Sequence, residues 1–217
     1  MDLQEASDRY TSAMAHCVNL VEVHRSHGGP SQGRRDQEVS INRAVIVMTV
    51  AAWQAAIQDM TLSALEAGRP VGESPLSPQT YDVIIGRTHK ELSDFSTPNA
   101  ENTRKLLQSV GFDPRPHWTW KQMGGQGVGR IDLEPHDVES RMRDWLRLRH
   151  DIAHGHDQLT QVRVLEAVRQ KDKPQQGWSP SIRLKDAEAC MAFFRRVSRL
   201  TALALGSHLG TTAGRWV

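Results

Sequence analysis

The chain has 217 residues, of which 38% are hydrophobic and only 6% aromatic, and its net charge is +2. That length supports one sizeable core and is short for two, so 1–217 is read as a single domain. So small a net charge excludes any argument for a nucleic-acid partner from the global field; only a local cluster of cations can make one.

The first element is predicted as a helix over 3–25, because Leu3, Ala6, Tyr10, Ala13, Met14, Cys17, Leu20, Val21 and His24 recur at helical spacing. Asp2, Glu5 and Asp8 stand where a signal segment would need an apolar core. Gly28, Gly29, Pro30 and Gly33 mark a loop. His16, His24 and His27 are read as ordinary helix-surface histidines, since no carboxylate or thiolate cluster accompanies them. A second helix is predicted over 40–67, with its stop at Gly68-Arg69-Pro70. Residues 41–53 are apolar nearly all round, which places this helix at the centre of a bundle. Its longest apolar run, 44–53, is too short to span a bilayer. Cys17 and Cys190 both fall in helical patterns and fit free buried thiols in a reducing compartment. These features predict a soluble cytoplasmic protein with no membrane partner.

After a Pro/Gly/Ser connector, a helix over 79–95 carries Val83, Ile84, Ile85 and Leu92. Ser96-Thr97-Pro98 interrupts it, and Asn99 is placed to cap a further helix through Val110. Residues 112–120 are rich in proline and aromatics. Trp118 and Trp120 either pack beneath the loop, the commoner use, or stack on RNA bases. Residues 121–130 are glycine-rich but lack a G-x4-G-K-[ST] pattern and a strand before it, so they predict a mobile, dispensable loop rather than a phosphate cradle. A helix follows over 135–155. Pro135 suits its first turn, Gly155 its left-handed stop, and Met142, Trp145, Leu148 and Ile152 form its buried stripe. Residues 161–168 alternate weakly, and with 181–184 they predict a short β-hairpin. The last helix is expected over 185–208, with Arg195, Arg196 and Arg199 as a solvated basic strip. The expected fold is all-α, an up-and-down bundle of about five helices with irregular loops.

Chemistry concentrates at the end of the 135–155 helix, in Arg147-Leu148-Arg149-His150-Asp151-Ile152-Ala153-His154-Gly155-His156. Arg149 borders the apolar stripe. His150 and His154 are four apart and share a more exposed face. At roughly 100° per residue, Arg149 and His154 stand about 140° apart on an ideal helix, so they meet only if the last turn loosens or a second copy of the helix approaches.

Arg149, four residues, then His154, in the setting Arg-His-Asp-Ile-Ala-His-Gly, resembles the R-x4–6-H signature of the HEPN superfamily, and the Ile-Ala-His-Gly ending is most similar to the RiboL-PSP-HEPN group. Residues 50–59, with Trp53, also resemble the early HEPN helix. Two positions depart from the family pattern: His150 stands where Asn is common after the arginine, and Gln54 where an acidic residue is common after the Trp. The resemblance implies a bundle that forms a homodimer through the motif and, in many members, a metal-independent RNase. That further implies a toxin or defence effector and leaves room for a cognate antitoxin as partner.

RNA carries its own nucleophile, the 2′-hydroxyl. Its cleavage needs a base for the 2′ proton, a cation for the phosphate charge and an acid for the leaving 5′ oxygen. Histidine, with an ordinary pKa of about 6.5, suits the proton transfers. Arginine's fork suits the phosphate. Carried over by the resemblance, Arg149 holds phosphate and His154 is the acid/base group, with its two-fold mate supplying the second histidine. His150 or Asp151 orients them, and Arg147 and Arg143 are assigned to substrate binding. Gln54, Gln58 and Asp59 are candidates to bond the motif arginine; the alternative is that Gln54 and Gln58 form a solvated pair. His156 lies past the Gly155 stop and is given the smallest part. A zinc site from His150, His154 and His156 with Asp157 lacks a His-Glu-x-x-His motif and an assigned fourth ligand. No metal and no cofactor are therefore expected. The competing function is a HEPN-like module that dimerises or binds RNA without cutting it.

Overall fold

The computed structural model describes residues 1–27, 35–70, 77–123, 129–171 and 177–216. Five long helices carry the fold: α1 (Leu3–His27), α2 (Arg35–Ala67), α3 (Pro78–Asp94), α5 (Pro135–Ala153) and α7 (Leu184–Leu209). Two shorter ones, α4 (Ala100–Gln108) and α6 (Glu166–Arg169), and a two-stranded sheet, β1 (Trp120–Met123) with β2 (Arg130–Leu133), complete it. The all-α bundle is as expected. Asn99 caps α4, its side chain accepting from the Asn102 amide at 2.7 Å.

The bundle is built around α2, which packs on α1, α4, α5 and α7. By length and composition α2 is the one described helix apolar enough to cross a bilayer, yet 56% of its most apolar window lies inside the bundle. Val45, Ile46, Val50, Trp53, Ile57 and Met60 are wholly enclosed. A helix apolar nearly all round has no free face to offer water, and only a central position satisfies it. Trp53 buries its ring against Phe194 of α7 and donates its indole N–H to the Pro98 carbonyl at 3.0 Å. Cys17 and Cys190 are free and buried, and burial pushes both thiols up.

Three expectations are corrected. Among the described residues no hairpin lies near 161–184. The described residues there form irregular chain and α6, whose first amide, that of Glu166, donates to the buried Asp186 carboxylate at 2.7 Å. The other oxygen of Asp186 accepts from the Arg183 amide at 2.8 Å. One enclosed carboxylate thus holds the starts of two helices, and Val162, Val164, Leu165 and Ile182 are buried without strand pairing. The hairpin is found instead in the stretch read as a mobile loop. Lys121 pairs with Asp132 and Met123 with Arg130. The glycine-rich 124–128 segment lies outside the described residues. Arg141 of α5 reaches Gln122 of β1 at 3.1 Å, which anchors the ribbon to the bundle.

The third correction concerns the early helix. Gln54 does not reach the motif arginine; its amide donates to the Phe95 carbonyl at 3.0 Å. Asp59 faces Arg9 at 3.6 Å instead. Of the two tryptophans offered as stacking platforms, Trp118 is wholly buried and its indole donates to Thr201 Oγ1 at 3.0 Å. Trp120 is half-buried beside Phe193.

Candidate functional site

α5 begins at Pro135, with the Asp137 carboxylate accepting from the Glu134 amide at 3.0 Å. Val138, Met142, Trp145, Leu146 and Leu148 face the core, and Ile152 packs at its edge. That fixes the rotation of the helix. Arg143, Arg147, His150 and His154, spaced four, three and four, are left together on the exposed face. Two guanidinium groups thus lead along one face to two imidazoles. Between the arginines in sequence sits Asp144, half-buried. Burial pushes its carboxyl up, against the pull of the Arg163 and Val164 amides and of Arg147 and Arg143.

The helix ends in a Schellman turn. Gly155 takes φ +66°, its amide donates to the Ile152 carbonyl at 3.2 Å, and the His156 amide donates to the Asp151 carbonyl at 3.0 Å. The left-handed step is one that only glycine takes at no steric cost. It has a chemical consequence: His156 does not leave the helix but folds back over its last turn. The rings of His150 and His154 are 4.2 Å apart, and that of His156 is 6.0 Å from each. All three residues are exposed. His156 Nδ1 lies 3.3 Å from Asp151 Oδ1.

Asp151 is only 7% exposed. Its Oδ2 accepts from the Thr160 amide at 2.7 Å, so it ties the segment after the motif to the helix end. Burial opposes its charge, but bonds from the Thr160 hydroxyl and amide and from His156 outweigh that and hold its carboxyl below the usual range. A depressed folded-state pKa contributes stability that is present above the unfolded value of about 4 and lost as pH falls through the folded value. Asp151→Ala should cost about 1–3 kcal/mol at neutral pH, because it leaves the Thr160 amide without its acceptor. Thermal melts across acid pH provide the check: Asp151→Asn should show a shallower acid loss than wild type. Equal slopes would remove Asp151 from this role.

Arg149 stands apart from the exposed stripe. It is half-buried, and its Nε is shielded from solvent without a hydrogen-bond partner. Among the described residues no bond joins Arg149 to His154 or to Asp151. The sites expected to act together are therefore divided. His150 and His154 meet, Asp151 bonds His156 rather than the arginine, and Arg149 keeps to another face of α5. Two features were not legible in the sequence: Thr160 as a partner of Asp151, and the bond between Asp151 and His156. A Gly at the C′ position was the signal that could have found the second, since a Schellman turn returns the next residue to the helix. Among the described residues no group of three or more His, Cys, Asp or Glu side chains is arranged to hold a metal ion.

No family model, curated protein or solved structure matches this chain.

Proposed function

We propose that the chain is a metal-independent endoribonuclease of the HEPN type, cleaving RNA by 2′-hydroxyl attack at a site completed by a two-fold dimer. The reading rests on the resemblance of Arg149 to His154 to the HEPN motif. The observation that carries it is the exposed stripe Arg143, Arg147, His150 and His154 on one face of α5. Cations spaced one turn apart suit successive phosphates, and imidazoles at the end of that track suit proton transfer at neutral pH. Arg149 lies on another face, so a second copy of α5 would be the means of bringing an arginine to His154. A toxin or defence effector acting on cellular RNA in the cytoplasm, held in check by a cognate antitoxin, is the role this chemistry fits.

The test is cleavage of total RNA on a denaturing gel with chelator present, with the products assayed for 2′,3′-cyclic phosphate ends. Light scattering at micromolar concentration should report a homodimer; a monomer would count strongly against the composite site. One observation favours a second reading. The separation of Arg149 from His154 within a chain suits a module that dimerises or binds RNA without cutting. That module would bind RNA through Arg143 and Arg147 and leave every RNA intact.

A further inference from the structure

We infer that His156 is the second proton-transfer group of the site, so that each protomer supplies its own acid–base pair, His154 and His156, and takes only Arg149 from its partner. The inference rests on the ribonuclease reading above and changes which chain provides the second histidine. Two imidazoles that serve one phosphate must each place a nitrogen about 3 Å from its oxygen. The His154 and His156 rings are 6.0 Å apart and inclined by 30°, and at that spacing each can reach a different oxygen of one phosphate lying across the pair. Both residues are exposed. His156 is also the one motif histidine with an oriented ring. Its Nδ1 is held toward Asp151 Oδ1 at 3.3 Å, and Asp151 is itself fixed by the Thr160 amide at 2.7 Å. With Nδ1–H donated to Asp151, Nε2 is the atom left to exchange a proton with substrate. The charged and titratable groups facing that ring are Asp151, His150 and His154.

The step balances within these groups. His154 takes the proton from the 2′-hydroxyl as the 2′ oxygen bonds to phosphorus. The bond from phosphorus to the 5′ oxygen breaks, and His156 gives its proton to that oxygen. The products are a 2′,3′-cyclic phosphate and a 5′-hydroxyl. Solvent then returns each ring to its starting state. The acid is assigned to His156 because the Asp151 carboxylate, 3.3 Å from its Nδ1, is an anionic partner for that ring; among the described residues no carboxylate bonds His154.

Three measurements on the full chain, with a single-stranded RNA oligonucleotide in EDTA, test this. His156→Ala should lower the single-turnover rate by about a hundredfold or more and remove the alkaline limb of the pH profile, whereas His154→Ala removes the acid limb. His156→Asn keeps a donor for Asp151 and should be no more active than His156→Ala; recovery of activity in it would mark His156 as merely structural and overturn the inference. Mixing equal amounts of Arg149→Ala and His154→Ala protein should restore about a quarter of the wild-type rate, since half the dimers are mixed and each has one complete site. If the second histidine came from the partner's copy of the motif, that mixture would stay inactive. An active wild type with an equally active His156→Ala overturns this inference alone. A wild type that cuts no RNA overturns the ribonuclease reading and this inference together.

Discussion

Arg149→Ala and His154→Ala should each lower RNA cleavage in the presence of chelator by about a hundredfold or more, because phosphate charge stabilisation and proton transfer are each typically worth that much. Neither change should unfold the chain. His154 is exposed at the helix cap, and surface replacements away from special contacts usually stay within about 0.5 kcal/mol. Arg149 is half-buried, but its Nε has no partner, so its removal strands no buried acceptor there. The cost is the packing of its stem, on the order of 1 kcal/mol. Circular dichroism and light scattering should therefore show the wild-type fold and oligomer for both. Full activity of His154→Ala would sink the mechanism. Wild-type activity that disappears with chelator would point to the histidines as metal ligands. His150→Ala should be milder, since His150 lies tilted beside His154 at 4.2 Å and, among the described residues, touches only its fellow rings at the site.

Trp118→Ala should be among the most destabilising single changes outside the site, costing about 3–5 kcal/mol and lowering Tm by roughly 10 °C. Trp118 is wholly enclosed, and its indole N–H is satisfied by Thr201 on α7. The substitution would leave a cavity between the segment before β1 and the last helix. Trp118→Phe, which keeps most of the volume and loses the hydrogen bond, should cost about 1–2 kcal/mol. RNA binding measured on folded protein should not change in Trp118→Phe. A specific loss there with an unaltered melt would restore the base-stacking role that burial now argues against.

The amino-acid sequence by itself determined the long helices. Many of their ends followed from local signals: apolar residues at 3.6-residue spacing, Asn99 as a cap, Pro135 at a first turn and Gly155 at a stop. Each acts within a few residues, so each is readable without knowing the fold. The start of α2, at Arg35 rather than residue 40, and α6 did not follow from such signals. The centrality of α2 was readable too, because a helix apolar on every side has only one place to go. Partners that act across long sequence separations were not readable. Gln54 bonds Phe95, Trp118 bonds Thr201 and Asp186 caps Glu166, and in each case the chosen partner depends on how helices meet. The hairpin was misplaced because weak alternation at 161–168 resembles a strand until burial and the Asp186 cap decide otherwise. Strand pairing at 120–133 spans glycines that read locally as a loop. At the site, the types and spacing of Arg149, His150 and His154 were in plain view. The tertiary structure alone decided which face of α5 is exposed, because Met142, Trp145 and Leu148 must be buried first. It also returned His156 to the other histidines, through one left-handed glycine and a carboxylate held from nine residues away.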